Sequence, residues 1–194
     1  MENTIERASL TGTVKAWVQL SRPPFHTVGV FPFVLGTLLA WRLDNVFNLP
    51  LFILGTVAVV FIMLATYYGG EYSDVMEDRL SASMDRNAFS GGTQVIIKDR
   101  LPRQYPHVAS YVALGLTVIT GLIIQFKYDT GPLTIPLGVI GILSGFFYSM
   151  MPVRWVTRGV GEMLIGFCYG WLPVAVAYYL QTGRIHSVIH FMSI

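Results

Sequence analysis

The feature that most constrains the fold is a long run without charge between Asp44 and Glu71. About 20 consecutive apolar residues in a helix cross a hydrocarbon core that is roughly 30 Å thick. The pattern recurs along the chain, because charged residues collect in short blocks separated by apolar runs of similar length. We therefore expect an all-α membrane protein in which the charged blocks form the loops.

The composition supports this class and excludes others. Of 194 residues, 53% are hydrophobic and 12% are charged, against about 25% charged in an ordinary soluble domain. The single cysteine, Cys168, lies in an apolar run and provides neither a disulfide framework nor a zinc site. The net charge of +2 comes from basic residues scattered over the loops, so no nucleic-acid partner is predicted.

The hydropathy pattern predicts five transmembrane helices and the start of a sixth. The predicted spans cover residues 25–41, 49–68, 107–126, 132–150 and 161–180. Residues 1–21 have the spaced apolar positions of a short interfacial helix, which ends at Arg22-Pro23-Pro24. The ten residues after Arg184 form a largely apolar stretch that is too short to cross a bilayer. We expect them to begin a sixth helix of an incomplete protein, with a short re-entrant tail as the alternative.

The basic residues predict an orientation in the cell membrane. With a cytoplasmic amino terminus, ten basic residues lie inside and three, Arg42, Lys127 and Arg184, lie outside. This bias follows the positive-inside rule. The acidic stretch after the second span and the long polar loop of residues 79–105 would then face the cytoplasm.

The acidic stretch is the first candidate site. If the second helix continues through it, Glu71, Asp74 and Asp78 fall at i, i+3 and i+7 on one face. Three stacked carboxylates repel one another, which favours a bound cation, and oxygen ligands of this kind suit Mg²⁺. The alternative is a set of solvated charges at a helix end.

The loop of residues 79–105 is the second candidate, because it is too long for a simple connector in a compact bundle. It contains Arg86, Asn87 and the run Ser90-Gly91-Gly92. The two glycines would let the backbone approach a phosphate closely, although a plain turn explains them equally well.

Several of these motifs together resemble a known family. The order of Arg22-Pro23, the acidic motif and the Arg-Asn-x-x-Ser-Gly-Gly loop resembles that of the UbiA-type intramembrane prenyltransferases. Residues 148–154 (YSMMPVR), 159–162 (GVGE) and 178–182 (YYLQT) look like the branch that prenylates 1,4-dihydroxy-2-naphthoate on the way to menaquinone. The resemblance covers nearly all of residues 15–194 and implies a UbiA-like transmembrane domain over residues 22–194.

The resemblance also implies residue roles. Asp74 and Asp78 match the two aspartates of the family's first acidic motif and would hold Mg²⁺, with Glu71 assisting. The residues implied to bind the diphosphate are Arg22, Arg86, Asn87 and Arg154. Tyr148 would lie at the reaction centre, where an aromatic face stabilises an allylic cation. The chain departs from the family pattern at Gly70, where the family has asparagine, and ends before the family's second acidic motif.

The implied function is Mg²⁺-dependent transfer of a polyprenyl group from a prenyl diphosphate to an aromatic acceptor, most simply 1,4-dihydroxy-2-naphthoate. Two alternatives stay open: another acceptor, such as 4-hydroxybenzoate or a glycerol-phosphate lipid, and a noncatalytic or cation-transporting membrane module. Without a second acidic motif, we expect the 194-residue chain alone to be inactive or nearly so.

Overall fold

The computed structural model describes residues 10–81 and 92–191, and within these ranges it contains helices and turns but no strand. The helices are α1 Leu10–Ser21, α2 Thr27–Asp44, α3 Leu49–Ser73, α4 Val75–Ser81, α5 Gln104–Tyr128, α6 Thr134–Gly145, α7 Gly161–Gly166, α8 Leu172–Thr182 and α9 Ser187–Phe191. Short 3₁₀ turns lie at Pro23–His26, Phe146–Tyr148 and Trp155–Thr157, and a π-helical turn, Phe167–Trp171, joins α7 to α8.

The expected all-helical membrane architecture is confirmed, but the count of five spanning helices is not. Four stretches in the described part of the chain are long and apolar enough to cross a membrane: Leu10–Asp44, Leu49–Ser73, Gln104–Tyr128 and Gly161–Thr182. The predicted fourth span corresponds to a shorter apolar helix, Thr134–Tyr148. At 1.5 Å per residue it extends roughly 22 Å, less than a hydrocarbon core. Of the predicted sixth helix, the structure describes five helical residues, Ser187–Phe191.

The spans form where the sequence combines a capping signal with continuous apolar character. At the start of α3, the Asn48 side chain accepts a hydrogen bond from the backbone N–H of Leu51 at 3.1 Å, and Pro50 occupies the first turn, where it costs no helix hydrogen bond. Helix α3 has apolar residues on all sides, which is typical of a helix that faces lipid as well as protein.

Two long helix pairs form the centre of the bundle. Helix α3 packs along α5, and α2 packs along α8. The second pair approaches closely at Gly36, where a Cβ atom would collide with the carbonyl oxygen of Val174. Small residues at such crossings let the backbones of membrane helices touch.

A polar network closes the end of the bundle that lies away from the acidic motif. Asp44 accepts hydrogen bonds from the Tyr178 hydroxyl and the Arg184 guanidinium. Beside it, the Gln181 side chain accepts from the backbone N–H of Asn48 at 2.5 Å and donates to its carbonyl oxygen at 3.1 Å. These contacts fix the turn between α2 and α3 against the end of α8.

Candidate functional site

The sequence analysis considered one helix that continues through the acidic motif, but the structure breaks the helix at Asp74. Helix α3 ends at Ser73, Asp74 departs from helical torsions (φ −96°, ψ 21°), and α4 begins at Val75. Backbone hydrogen bonds from Asp74 to Gly70 and from Asp78 to Asp74, both 2.8 Å, still bridge the break. The structure therefore gives each of the three carboxylates a partner of its own, which offsets the repulsion expected from stacking them.

Glu71 is buried, with 4% of its surface exposed, and both of its oxygens are engaged. The Arg22 guanidinium donates to Oε1 at 2.9 Å. The backbone N–H of Thr93 donates to Oε1 at 2.6 Å, and the Thr93 hydroxyl donates to Oε2 at 2.9 Å. Two predicted site residues, Arg22 and Glu71, are thus brought together, and Glu71 ties the amino-terminal turn to the polar loop.

Asp74 is paired with a second predicted residue, Arg154. The guanidinium donates to Asp74 Oδ1 at 2.7 Å and to Glu77 Oε1 at 2.9 Å. Burial raises the pKa of Asp74, although the Ser149 hydroxyl and Arg154 act in the opposite direction. The raised pKa indicates that this carboxylate is held in a poorly solvated place, where a further positive group would stabilise its charge.

Asp78 is also buried, and its Oδ1 accepts a hydrogen bond from the backbone N–H of Gly92 at 2.8 Å. A Cβ atom at position 92 would overlap the Asp78 carboxylate. Glycine is therefore required here for close approach of the loop backbone, but to a carboxylate of the protein. The sequence had linked these glycines to a phosphate.

The two arginines that meet the acidic motif share a rare backbone conformation. Arg22 (φ 48°, ψ 58°) and Arg154 (φ 48°, ψ 64°) are both left-handed, and each precedes a 3₁₀ turn. This conformation costs a non-glycine residue on the order of 1 kcal/mol or more, and such residues cluster at functional sites. The Nε–H of Arg154 is also buried without a hydrogen-bond partner among the described residues, so it can still donate to a ligand.

Tyr148 lies at the same end of the bundle, in the 3₁₀ turn that follows α6. A Cβ atom at Gly161 would lie 3.2 Å from its hydroxyl oxygen. The next residue, Ser149, lies beside Gly70, where a Cβ atom would be 3.7 Å from both Ser149 Oγ and Asp74 Oδ2. Ser149 and Asp74 thus both lie within van der Waals contact of position 70, where the family pattern has asparagine.

Sequence reasoning missed several residues of this end of the bundle. Thr93 carries no motif, and its role depends on how the loop folds over Glu71. The Arg103 guanidinium lies 4.5 Å from the centre of the Tyr72 ring, and its Nε–H donates to the Tyr72 carbonyl oxygen at 2.9 Å. The His107 ring stacks on the same tyrosine, with the two ring centres 3.8 Å apart. These contacts pin the end of α3 to the start of α5. The interfacial position of the aromatic residues was the only available signal.

Two predicted residues, Arg86 and Asn87, lie outside the residues that the structure describes, and their roles stay predictions. Within residues 10–81 and 92–191, no group of three or more histidine, cysteine, aspartate or glutamate side chains lies close enough to hold a metal ion. The roles of Glu71, Asp74 and Asp78 as Mg²⁺ ligands stay predictions.

Residues 29–194 match the UbiA prenyltransferase family. The chain belongs to this family. The predicted resemblance is confirmed, and the match includes every predicted site residue except Arg22, which precedes it. No solved structure is significantly similar to the chain.

Two curated relatives agree with the family. A 1,4-dihydroxy-2-naphthoate octaprenyltransferase from Bacillus subtilis is 25% identical over 176 residues, which are 91% of this chain and 54% of that protein. A 2-carboxy-1,4-naphthoquinone phytyltransferase from Synechocystis is 25% identical over 174 residues, which are 88% of this chain and 52% of that protein. The chain thus spans about half the length of the curated relatives it matches.

Proposed function

We propose that this UbiA-family protein transfers a polyprenyl group from a prenyl diphosphate to an aromatic acceptor in a Mg²⁺-dependent reaction, and that the acceptor is 1,4-dihydroxy-2-naphthoate. The observation that carries the proposal is the pairing of Asp74 with Arg154 at 2.7 Å, together with the buried Nε–H of that arginine, which has no acceptor in the described part of the chain. The names of the two curated relatives support the aromatic acceptor.

Arg154 fits the binding of a diphosphate. A guanidinium presents its donors in a fixed planar fork that matches the oxygens of a phosphate group. In the structure, one terminal nitrogen donates to Asp74 and Glu77, while Nε is buried with no acceptor within residues 10–81 and 92–191. A diphosphate oxygen would satisfy Nε and would spread the charge that develops on the leaving group when the allylic carbon–oxygen bond breaks.

The acidic residues fit Mg²⁺ only as part of a complex with substrate. Proteins commonly hold this ion through one or two carboxylates together with phosphate oxygens, and not in an all-protein cage. Asp74 and Asp78 would supply those carboxylates, and the ion would neutralise the departing diphosphate. Glu71 is the weakest of the three predicted ligands, because both of its oxygens already accept hydrogen bonds from Arg22 and Thr93.

The membrane provides the rest of the site. A prenyl tail is apolar, so a spanning bundle can bind it while its diphosphate stays at the polar end. The basic residues favour a cytoplasmic position for that end and for the amino terminus, in the cell membrane. This topology would place the diphosphate of a membrane-held prenyl donor beside Arg154 and Asp74 and would leave that end open to the cytoplasm.

The direct test is binding of farnesyl thiolodiphosphate, which resists cleavage, to the chain in lipid nanodiscs with and without Mg²⁺. Arg154→Gln should weaken Mg²⁺-dependent binding by roughly ten- to a hundredfold, the value of one charge-assisted hydrogen bond. Arg184→Gln is the matched control, since this arginine also pairs with an aspartate, Asp44, but at the opposite end of the bundle.

Binding that is unaffected by Mg²⁺, or equally weakened by both arginine substitutions, would remove the proposal. Acceptor binding then identifies the acceptor. The same nanodiscs, with farnesyl thiolodiphosphate and Mg²⁺ present, are titrated in separate arms with 1,4-dihydroxy-2-naphthoate, 4-hydroxybenzoate or a glycerol-phosphate lipid. Tighter binding of either of the last two than of the first would overturn the assignment of the acceptor while leaving the donor site intact.

A further inference from the structure

A second group of polar atoms lies beside the acidic motif but is not part of it. His26 ends the 3₁₀ turn that follows Arg22, and its Nε2 lies 2.9 Å from the carbonyl oxygen of Ser21. A carbonyl oxygen can only accept, so Nε2 carries the hydrogen in this bond. The other ring nitrogen, Nδ1, is buried without a hydrogen-bond partner among the described residues. In the neutral ring it is a fixed, free acceptor.

Tyr67, whose ring contacts that of His26, carries a second buried polar atom, its hydroxyl group. Its side chain belongs to α3 and is 8% exposed. Its hydroxyl group lies near that of Tyr169, which comes from the π-helical turn Phe167–Trp171, but it is buried without a well-formed hydrogen bond to any described residue. A π-helical turn inside a helix often occurs at a functional site, because it changes the direction of one side chain.

Aromatic faces surround these polar atoms. The Tyr67 ring contacts the rings of His26 and Phe25 edge to face, with centroids 5.6 and 6.2 Å apart. The Arg22 guanidinium lies 5.9 Å from the centre of the Tyr67 ring. Since Arg22 also pairs with Glu71, the group adjoins the proposed diphosphate site. Two buried polar atoms that lack good partners are costly in such an apolar setting unless a ligand or water satisfies them.

We propose that His26, Tyr67 and Tyr169 form a subsite that binds the hydroxyl group of an aromatic ligand. The ligand O–H donates to His26 Nδ1, and its oxygen accepts from the Tyr67 hydroxyl, while Phe25 and Tyr67 contact the ring. The proposal rests on the proposed function, since it supplies the place of the acceptor, and it assigns that role to residues outside the acidic motif and the diphosphate-binding set.

The experiment measures binding to the chain in lipid nanodiscs by calorimetry, with 1-naphthol as the probe. A second probe, 1-methoxynaphthalene, has the same rings but no hydrogen to donate. Wild-type protein should bind 1-naphthol roughly three- to tenfold more tightly than the methyl ether, as one net hydrogen bond predicts. His26→Phe and Tyr67→Phe should each remove this preference. Tyr105→Phe, at a residue that is 53% exposed, should keep it.

Equal binding of the two probes by the wild-type protein overturns the proposal, because lipid partitioning or a bound water then accounts for the site. A preference that survives in either folded variant overturns it as well. Helical circular dichroism checks folding, and Tyr67→Phe decides alone if His26→Phe does not fold. Farnesyl thiolodiphosphate binding is measured on the same samples. If the wild-type protein does not bind the thiolodiphosphate, the proposed function is contradicted. If His26→Phe binds it normally but has lost the preference for 1-naphthol, the effect is confined to the hydroxyl-binding subsite.

Discussion

Replacing Glu71 with glutamine distinguishes a structural carboxylate from a metal ligand. The substitution preserves size, and glutamine can keep the contacts geometrically, with Oε1 accepting from Arg22 and from the Thr93 backbone and Nε2 donating to the Thr93 hydroxyl. Only the charge is lost. If Glu71 mainly holds the amino-terminal turn and the polar loop together, the free energy of unfolding should fall while Mg²⁺-dependent binding of a prenyl diphosphate changes little.

The size of the effect follows from the exposure of the pair. Breaking a fully buried ion pair costs about 3–5 kcal/mol, because one charge is left uncompensated. The Glu71 side chain is 2% exposed, but that of Arg22 is 21% exposed, so water can partly solvate the remaining guanidinium. We therefore expect a loss of about 2 kcal/mol, near the lower value for charged hydrogen bonds. For a chain of this length that loss corresponds to roughly 4–8 °C in the thermal midpoint.

The assay is thermal unfolding in nanodiscs, followed by circular dichroism, for Glu71→Gln, Arg22→Gln and the double variant. A coupling free energy of about 1–2 kcal/mol is expected, since the two side chains touch directly. A coupling free energy near zero would contradict a stabilising contact between Arg22 and Glu71. So would an unchanged midpoint combined with a large loss of Mg²⁺-dependent binding, which is the result expected if Glu71 binds the metal.

Three further predictions concern neighbouring parts of the structure. Gly92→Ala should destabilise the protein by about 1–3 kcal/mol, because the new Cβ would overlap Asp78. Gly115→Ala is the control, since a Cβ there would have no atom within 4 Å, and it should leave the thermal midpoint equal or higher. Similar midpoints for the two variants would contradict the contact between Gly92 and Asp78. Because burial raises the pKa of Asp74, its contribution to stability is greatest below about pH 4 and falls as pH rises through the folded-state pKa. Asp74→Asn should remove this fall in the thermal midpoint between pH 4 and pH 8. The same dependence on pH in the variant and the wild-type protein would contradict the raised pKa of Asp74. Asp44→Asn should lower the thermal midpoint, because it weakens the hydrogen bonds from Tyr178 and Arg184 at the far end of the bundle. Titration with the thiolodiphosphate should show unchanged affinity, and a matching loss of affinity would contradict the separation of the two ends.

Much of the candidate site was predictable because it depends on motifs near helix ends. Arg22 before the first span, the acidic motif after the second and Arg154 after the fourth were placed at one end of the bundle by topology alone, and the structure joins them in two ion pairs. Which arginine meets which carboxylate was not predictable. Pairing depends on how the 3₁₀ turns at Pro23–His26 and Trp155–Thr157 direct each guanidinium after a left-handed residue.

Hydropathy and charge alone predict a helical membrane protein with its candidate site at one polar end. Hydropathy suffices for this, because backbone groups in a bilayer must be satisfied within helices, so apolar runs map directly onto spans. The tertiary structure adds the helix break at Asp74, the contacts of Glu71 with Arg22 and Thr93, and the contacts of Tyr67 with His26 and Tyr169. These contacts join residues far apart in sequence, and no local pattern specifies the angle at which two helices cross or the path of a loop over their ends.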